Sequence, residues 1–261
     1  RIAFLMDGLM HRMGLHGKAI VPFILGYGCN VPSVMSTRIL ENRRDRVLAA
    51  TLAVMVPCAA RLSVVFGLVA FYLGPLYALA IYLFNILVIA LLGKLLSRLL
   101  PEDSPGLILE MPIYHLPTLK SALNKTWFRV REFIFEAWPL LIIGSAVMAL
   151  LNFFDLSRFL NYPVLPLTWL LGLPFDTGVP LVFGIVRKEL SLIMLSQALG
   201  SMDYSLVLTQ VQMVTFSVFV VFYIPCLATL SMLKKEFGWK TTLKISLVTV
   251  VVALAAGLMA R

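Results

Sequence analysis

The chain has 261 residues, of which 60% are hydrophobic and only 13% charged, and its mean hydropathy is +0.93. Soluble domains carry about 25% charged residues, so this composition excludes an ordinary soluble globule and describes an all-α polytopic membrane protein. The net charge of +9 does not imply nucleic acid, because fourteen of the 22 Lys and Arg fall in three polar segments. These are Arg38, Arg43, Arg44 and Arg46; Lys94, Arg98, Lys120, Lys125, Arg129 and Arg131; and Lys234, Lys235, Lys240 and Lys244. The positive-inside rule puts all three on the cytoplasmic face.

Taken in order, residues 1–18 form an amphipathic connecting segment, without the apolar core and small-residue site of a cleavable signal. The chain does not begin with Met, which suggests a missing amino-terminal part. Residues 19–97 make a first repeat. Its apolar start is too short to cross a bilayer, which takes about 20 helical residues. It then meets Gly26-Tyr27-Gly28-Cys29-Asn30-Val31-Pro32-Ser33-Val34-Met35-Ser36-Thr37-Arg38. Lipid tolerates such a backbone break only where protein or a watery cavity covers the freed groups, so this element lines a path. The next span, 47–73, contains Pro57, which kinks or splits it. Gly74-Pro75 turns the chain, and 76–96 returns to the cytoplasm.

Residues 98–132 form a cytoplasmic polar segment that includes an interfacial helix, with Leu116, Leu119, Leu123, Trp127, Val130 and Ile134 at three- and four-residue spacing. Residues 133–155 are a connecting transmembrane helix. In 163–233 a second repeat is expected, with its broken element parted at Leu173-Pro174-Phe175-Asp176-Thr177 and a span interrupted by Pro225. Residues 234–261 make a cytoplasmic loop and a terminal transmembrane helix. Pro57-Cys58-Ala59-Ala60-Arg61-Leu62-Ser63 aligns with Pro225-Cys226-Leu227-Ala228-Thr229-Leu230-Ser231, and Gly26 and Ser33 align with Gly184 and Ser191. By the charge count the two Pro-Cys spans run in opposite directions. That is an inverted repeat, which places a substrate site near the midplane between its halves.

Cys29, Cys58 and Cys226 sit at or near helix breakers in apolar surroundings, and an odd number argues against a disulfide framework. Their spacing matches no zinc-finger pattern. Sulfur ligands suit Fe, Cu(I) and Zn, and a transport site should be under-ligated so that it can release its ion. Asn30, Ser33 and Glu189 are the accompanying oxygen donors, while Arg61 and Lys188 are gating or structural charges in the membrane. Met35, Met55, Met194 and Met232 are read as gap-filling residues. No catalytic signature and no Gly-x-x-x-x-Gly-Lys-Ser/Thr phosphate loop occurs, so this chain is not expected to be an enzyme or to hydrolyse a nucleotide.

The 26–38 motif closely resembles the FeoB family of ferrous iron transporters. So do the Met-Asp-Gly-Leu-Met-His-Arg-Met-Gly-Leu-His-Gly-Lys run at 6–18, Pro-Cys-Ala-Ala-Arg at 57–61, Glu-Met-Pro-Ile-Tyr-His-Leu-Pro at 110–117, Arg-Lys-Glu at 187–189 and Ile-Pro-Cys-Leu-Ala-Thr at 224–229. The resemblance implies two Gate-type repeats flanking a central membrane segment in a multi-pass prokaryotic cell-membrane protein. Its proposed path cysteines fall on Cys29, Cys58 and Cys226. It also implies Fe(II) as the transported ion, no permanently bound cofactor, membrane lipid as surroundings, and a GTP-binding domain either missing here or on a separate chain. A homo-oligomer stays open. The alternatives are a nucleoside-like organic-solute carrier, which would need polar and aromatic midplane groups, and a non-transporting membrane scaffold.

Overall fold

The computed structural model describes residues 5–99, 161–186, 188, 190–199, 204 and 207–261, with single positions between 120 and 150. The interfacial and connecting helices expected over 98–155 fall largely outside the described residues. Arg187, Glu189 and the loops near 158 and 202 fall outside them altogether.

Helix α1 (Asp7–Arg12) leads into a turn held by local bonds. Gly17 N–H donates to Asp7 Oδ1 at 2.9 Å, and Lys18 N–H donates to His16 Nδ1 at 3.1 Å. Helix α2 (Ile20–Gly28) then stops at Cys29, which is extended at φ −150° and ψ 136°, and α3 (Asn30–Ser36) begins after it. Pro32 is the cause, because a proline ring clashes with the carbonyl four residues earlier, here Gly28. The same rule ends α4 (Arg43–Ala53) four residues before Pro57. Helix α5 (Ala59–Val65) resumes beyond it and runs into a π-helical turn at Phe66–Ala70, so the expected span is split rather than kinked. Helix α6 (Pro75–Leu99) is uninterrupted.

The second half repeats this order after a preceding helix, α7 (Asn161–Leu171). Helices α8 (Gly178–Val186) and α9 (Leu190–Leu199) are the broken pair. Helices α10 (Gln210–Phe222) and α11 (Leu227–Phe237) are the span split at Pro225-Cys226, and α12 (Trp239–Ala260) is the long helix. Two expectations change here. The break that matches Cys29 lies between α8 and α9, next to Lys188, and not at 173–177, which only joins α7 to α8. No proline marks it, so the flanking apolar runs read as one. The basic stretch 234–244 is not a loop either. Lys234 and Lys235 close α11 while Lys240 and Lys244 lie on α12, and Gly238, at φ 82° and ψ 167°, makes the joint. Lysine is a good helix former, and only glycine takes that backbone region freely.

Among the described residues, three stretches are long and apolar enough to cross a membrane: Pro75–Arg98, Gln210–Phe237 and Trp239–Ala260. The middle one crosses only as two pieces, since α10 and α11 are parted at Tyr223–Cys226. Leu79, Leu83, Leu87 and Leu91 on α6, and Leu243, Leu247 and Val251 on α12, stand exposed at turn spacing and form lipid faces.

Helix packing in lipid depends on close fit rather than on exclusion of water. Phe216, Phe219 and Phe222 of α10 are fully buried against Val64, Val65 and Leu68 of the first half and Ala253 and Ala256 of α12, so the halves share one core. A second seam joins Val31 and Val34 of α3 to Ala228, Met232 and Leu233 of α11. Gly26 and its repeat partner Gly184 are both crowded: a Cβ would lie 3.2 Å from the Ala53 carbonyl in one case and 2.3 Å from Ser191 Oγ in the other. Glu236 pairs with both Arg38 and Arg46, which brings the first and third basic segments to one end of the fold.

A candidate ion path at three helix breaks

The three cysteines occupy the same local position, each being the residue immediately before a helix: Cys29 before α3, Cys58 before α5 and Cys226 before α11. All three have extended backbone, all are half-buried, and none is in a disulfide. They line one cavity of about 490 Å³ together with Asn30, Arg61, Lys188, Gly28, Ala59, Ala60 and Ser63. The fold thus assembles residues from four places in the chain, two in each half.

Each break frees carbonyl groups, and these must find donors inside the membrane. Arg61 Nη1 donates to the Val54 and Val56 carbonyls at 2.6 and 3.2 Å, and its Nη2 donates across the halves to the Tyr223 carbonyl at 3.1 Å. Lys188 Nζ donates to the Val220 carbonyl at 3.0 Å and to the same Tyr223 carbonyl at 3.4 Å. Asn85 Nδ2 reaches the Met55 carbonyl at 3.3 Å. Both buried cations therefore cap the unwound ends of α4 and α10, and the Tyr223 carbonyl is their shared anchor.

Asn30 follows the first break as Lys188 follows the second. Its Nδ2 donates to the Val54 carbonyl at 3.1 Å, but its Oδ1 accepts no hydrogen bond although the residue is only 4% exposed. An unsatisfied acceptor at that depth is costly unless a cation or a donor visits it. Cys226 Sγ lies 3.1 Å from Thr229 Oγ1, whereas the matching position after Cys58 is Arg61.

Ser33 belongs elsewhere. It is fully buried and its Oγ donates to the Pro22 carbonyl at 2.6 Å, which ties α3 back onto α2. A short hydroxyl one turn inside a helix is satisfied locally and does not reach the cavity. Glu189 lies outside the described residues. Met55 and Met232 are buried in the core, as the sequence suggested for gap-filling residues. The residues that sequence reasoning missed act mainly through backbone. The Tyr223 carbonyl carries no side-chain signal, and Ala59 and Ala60 are notable only for being small enough to leave the cavity open. Among the described residues, no group of three or more His, Cys, Asp or Glu is arranged to hold a metal ion.

These features define a class: an all-α membrane protein of two broken-helix gate units around a shared cavity. Residues 1–72 and 134–240 match the Gate family, described as nucleoside recognition, and residues 78–129 match the family described as ferrous iron transport protein B C terminus. A Methanocaldococcus jannaschii protein named Fe(2+) transporter FeoB is 30% identical over 93% of this chain and 41% of its own length. A Staphylococcus aureus protein of the same name is 31% identical over 93% of the chain and 40% of its own length. One from Salmonella typhimurium is 40% identical over 60% of the chain and 21% of its own length. No solved structure shows a significant match. The chain belongs to the FeoB family and carries its Gate-type membrane region, spanning about 40% of the length of the first two relatives.

Proposed function

We propose that the chain is the permease part of a ferrous iron transporter in the cell membrane, and that Fe(II) passes through the cavity lined by Cys29, Cys58, Cys226 and Asn30. The observation that carries this reading is that three half-buried thiols and Asn30, whose amide oxygen accepts no hydrogen bond, line one cavity. Sulfur with neutral oxygen suits a borderline ion better than Mg²⁺ or Ca²⁺. Because no closed three-residue cage stands among the described residues, binding would be moderate, as release requires. Arg61 and Lys188 would repel a dication if unpaired, but both are engaged by carbonyl oxygens that offset their charge. An inverted repeat would put a site shared by its halves near the midplane, which supports this reading. Energy would come from a GTP-binding domain outside this chain, which has no phosphate loop of its own.

The Gate description favours one other reading, nucleoside transport. A nucleoside site needs aromatic surface for the base, and the described residues lining this cavity include none. Uptake into vesicles containing the full-length transporter separates the two. Saturable Fe(II) uptake, undiminished by excess nucleoside, is expected. Nucleoside uptake without Fe(II) uptake would overturn the assignment.

A further inference from the structure

The contact between α3 and α11 runs from the cavity to one end of the molecule. Both helices start at a cavity cysteine, Cys29 on one side and Cys226 on the other, and they lie along each other through Val31, Val34, Ala228, Met232, Leu233 and Phe237. Apolar contacts line this seam as far as its outer end, about ten residues or 15 Å of helix from the cysteines. There a single carboxylate is gripped by two arginines. Arg38 Nε donates to Glu236 Oε1 at 2.7 Å, Arg38 Nη2 also reaches Oε1, and Arg46 Nη2 donates to Oε2 at 3.1 Å. Glu236 comes from the second half, and both arginines come from the first.

Exposed ion pairs contribute little, but this carboxylate is not exposed: its side chain is 6% accessible, against 44% and 28% for Arg38 and Arg46. Removing both partners would leave a buried charge uncompensated, which strongly favours keeping the seam closed. Arg46 also lies over the Phe237 ring at 5.7 Å, so the polar clasp and the apolar seam meet without a gap. For α3 and α11 to part, the packing beneath and the charge clasp at the rim would both have to break.

We propose that the α3–α11 seam is the gate between the cavity and the basic face of the protein, and that Glu236, held by Arg38 and Arg46, is its latch. This rests on the cavity being the ion path, but its test reads access to the cavity and not transport. Single-cysteine forms of the full-length protein, retaining Cys29 or Cys226, are treated in oriented membrane vesicles with a membrane-impermeant maleimide. In the parent, labelling from the basic face is slow. Glu236→Gln is expected to raise it at least tenfold from that face while labelling from the opposite face stays unchanged. The exchange Arg38→Glu and Arg46→Glu with Glu236→Arg puts one base between two acids and is expected to return the rate to near the parental value. Unchanged labelling in Glu236→Gln, an equal rise from both faces, or an exchange that fails to restore protection would each overturn the latch. Fe(II) uptake at the parental rate by these single-cysteine forms, with the labelling pattern as expected, leaves the latch standing and counts against the cavity cysteines as the path.

Discussion

Among the described residues, Arg61 is the largest side chain entirely withdrawn from solvent, and it makes three bonds to carbonyls in both halves. Hydrogen bonds to a charged group contribute about 1.5–3 kcal/mol each, and a stranded buried carbonyl costs extra. Arg61→Met should therefore lower stability by at least about 3 kcal/mol, measured as chemical or thermal denaturation in detergent. Arg61→Lys should recover little, because a single ammonium cannot fork to Val54 and Tyr223 together. Recovery of full stability by lysine would show that charge alone matters. Ser33 gives the opposite case. Its hydroxyl fastens α3 to α2, so Ser33→Ala should cost about 1 kcal/mol and leave uptake by the folded protein at the parental rate. A loss of uptake without a loss of stability would return Ser33 to the ion path.

Helix ends in this fold are set by proline where the sequence shows them and by charge or glycine where it does not. Pro32, Pro57 and Pro225 were legible as breakers because each removes a ladder bond and blocks the carbonyl four residues back. The break beside Lys188 was less plain, since the apolar runs on both sides continue through it; its signals were ionisable residues at membrane depth and the Gly184 and Ser191 spacing that matches Gly26 and Ser33. The joint at Gly238 was hidden for a related reason, because dense lysine suggested a loop where the chain needs only one residue of unusual backbone. That residue can be tested. Gly238→Ala should destabilise the protein by about 1–3 kcal/mol, since φ 82° with ψ 167° is closed to side-chain-bearing residues. Gly8→Ala, in a helix with nothing within 4 Å of the added carbon, should be neutral or slightly stabilising. Equal effects at the two sites, read from the same melting curves, would mean that the turn relaxes.

Across the whole molecule, the repeat and the three cysteines were visible as short matched strings, but their convergence was not. Cys29 and Cys226 are far apart in sequence, and only the α3–α11 seam brings them to one cavity. The Glu236 pairs, 198 and 190 residues apart in the chain, were likewise beyond any local pattern. They do accord with the charge count, which assigned both basic segments to one face. Cysteines introduced at 42 and 238 should therefore be labelled by an impermeant reagent from the cytoplasmic side, and those at 158 and 202 from outside. Strong outside labelling at 42 or 238 would sink the topology and the inverted repeat together. The central claim is that the thiols at the breaks form the wall along which Fe(II) moves. Serine keeps nearly the volume of cysteine but removes the soft ligand. Initial rates of Fe(II) uptake should fall at least tenfold in two or more of Cys29→Ser, Cys58→Ser and Cys226→Ser, and in the matching alanine forms, at unchanged protein level and folding. Parental rates in all six variants would make the cysteines packing residues and put the path elsewhere.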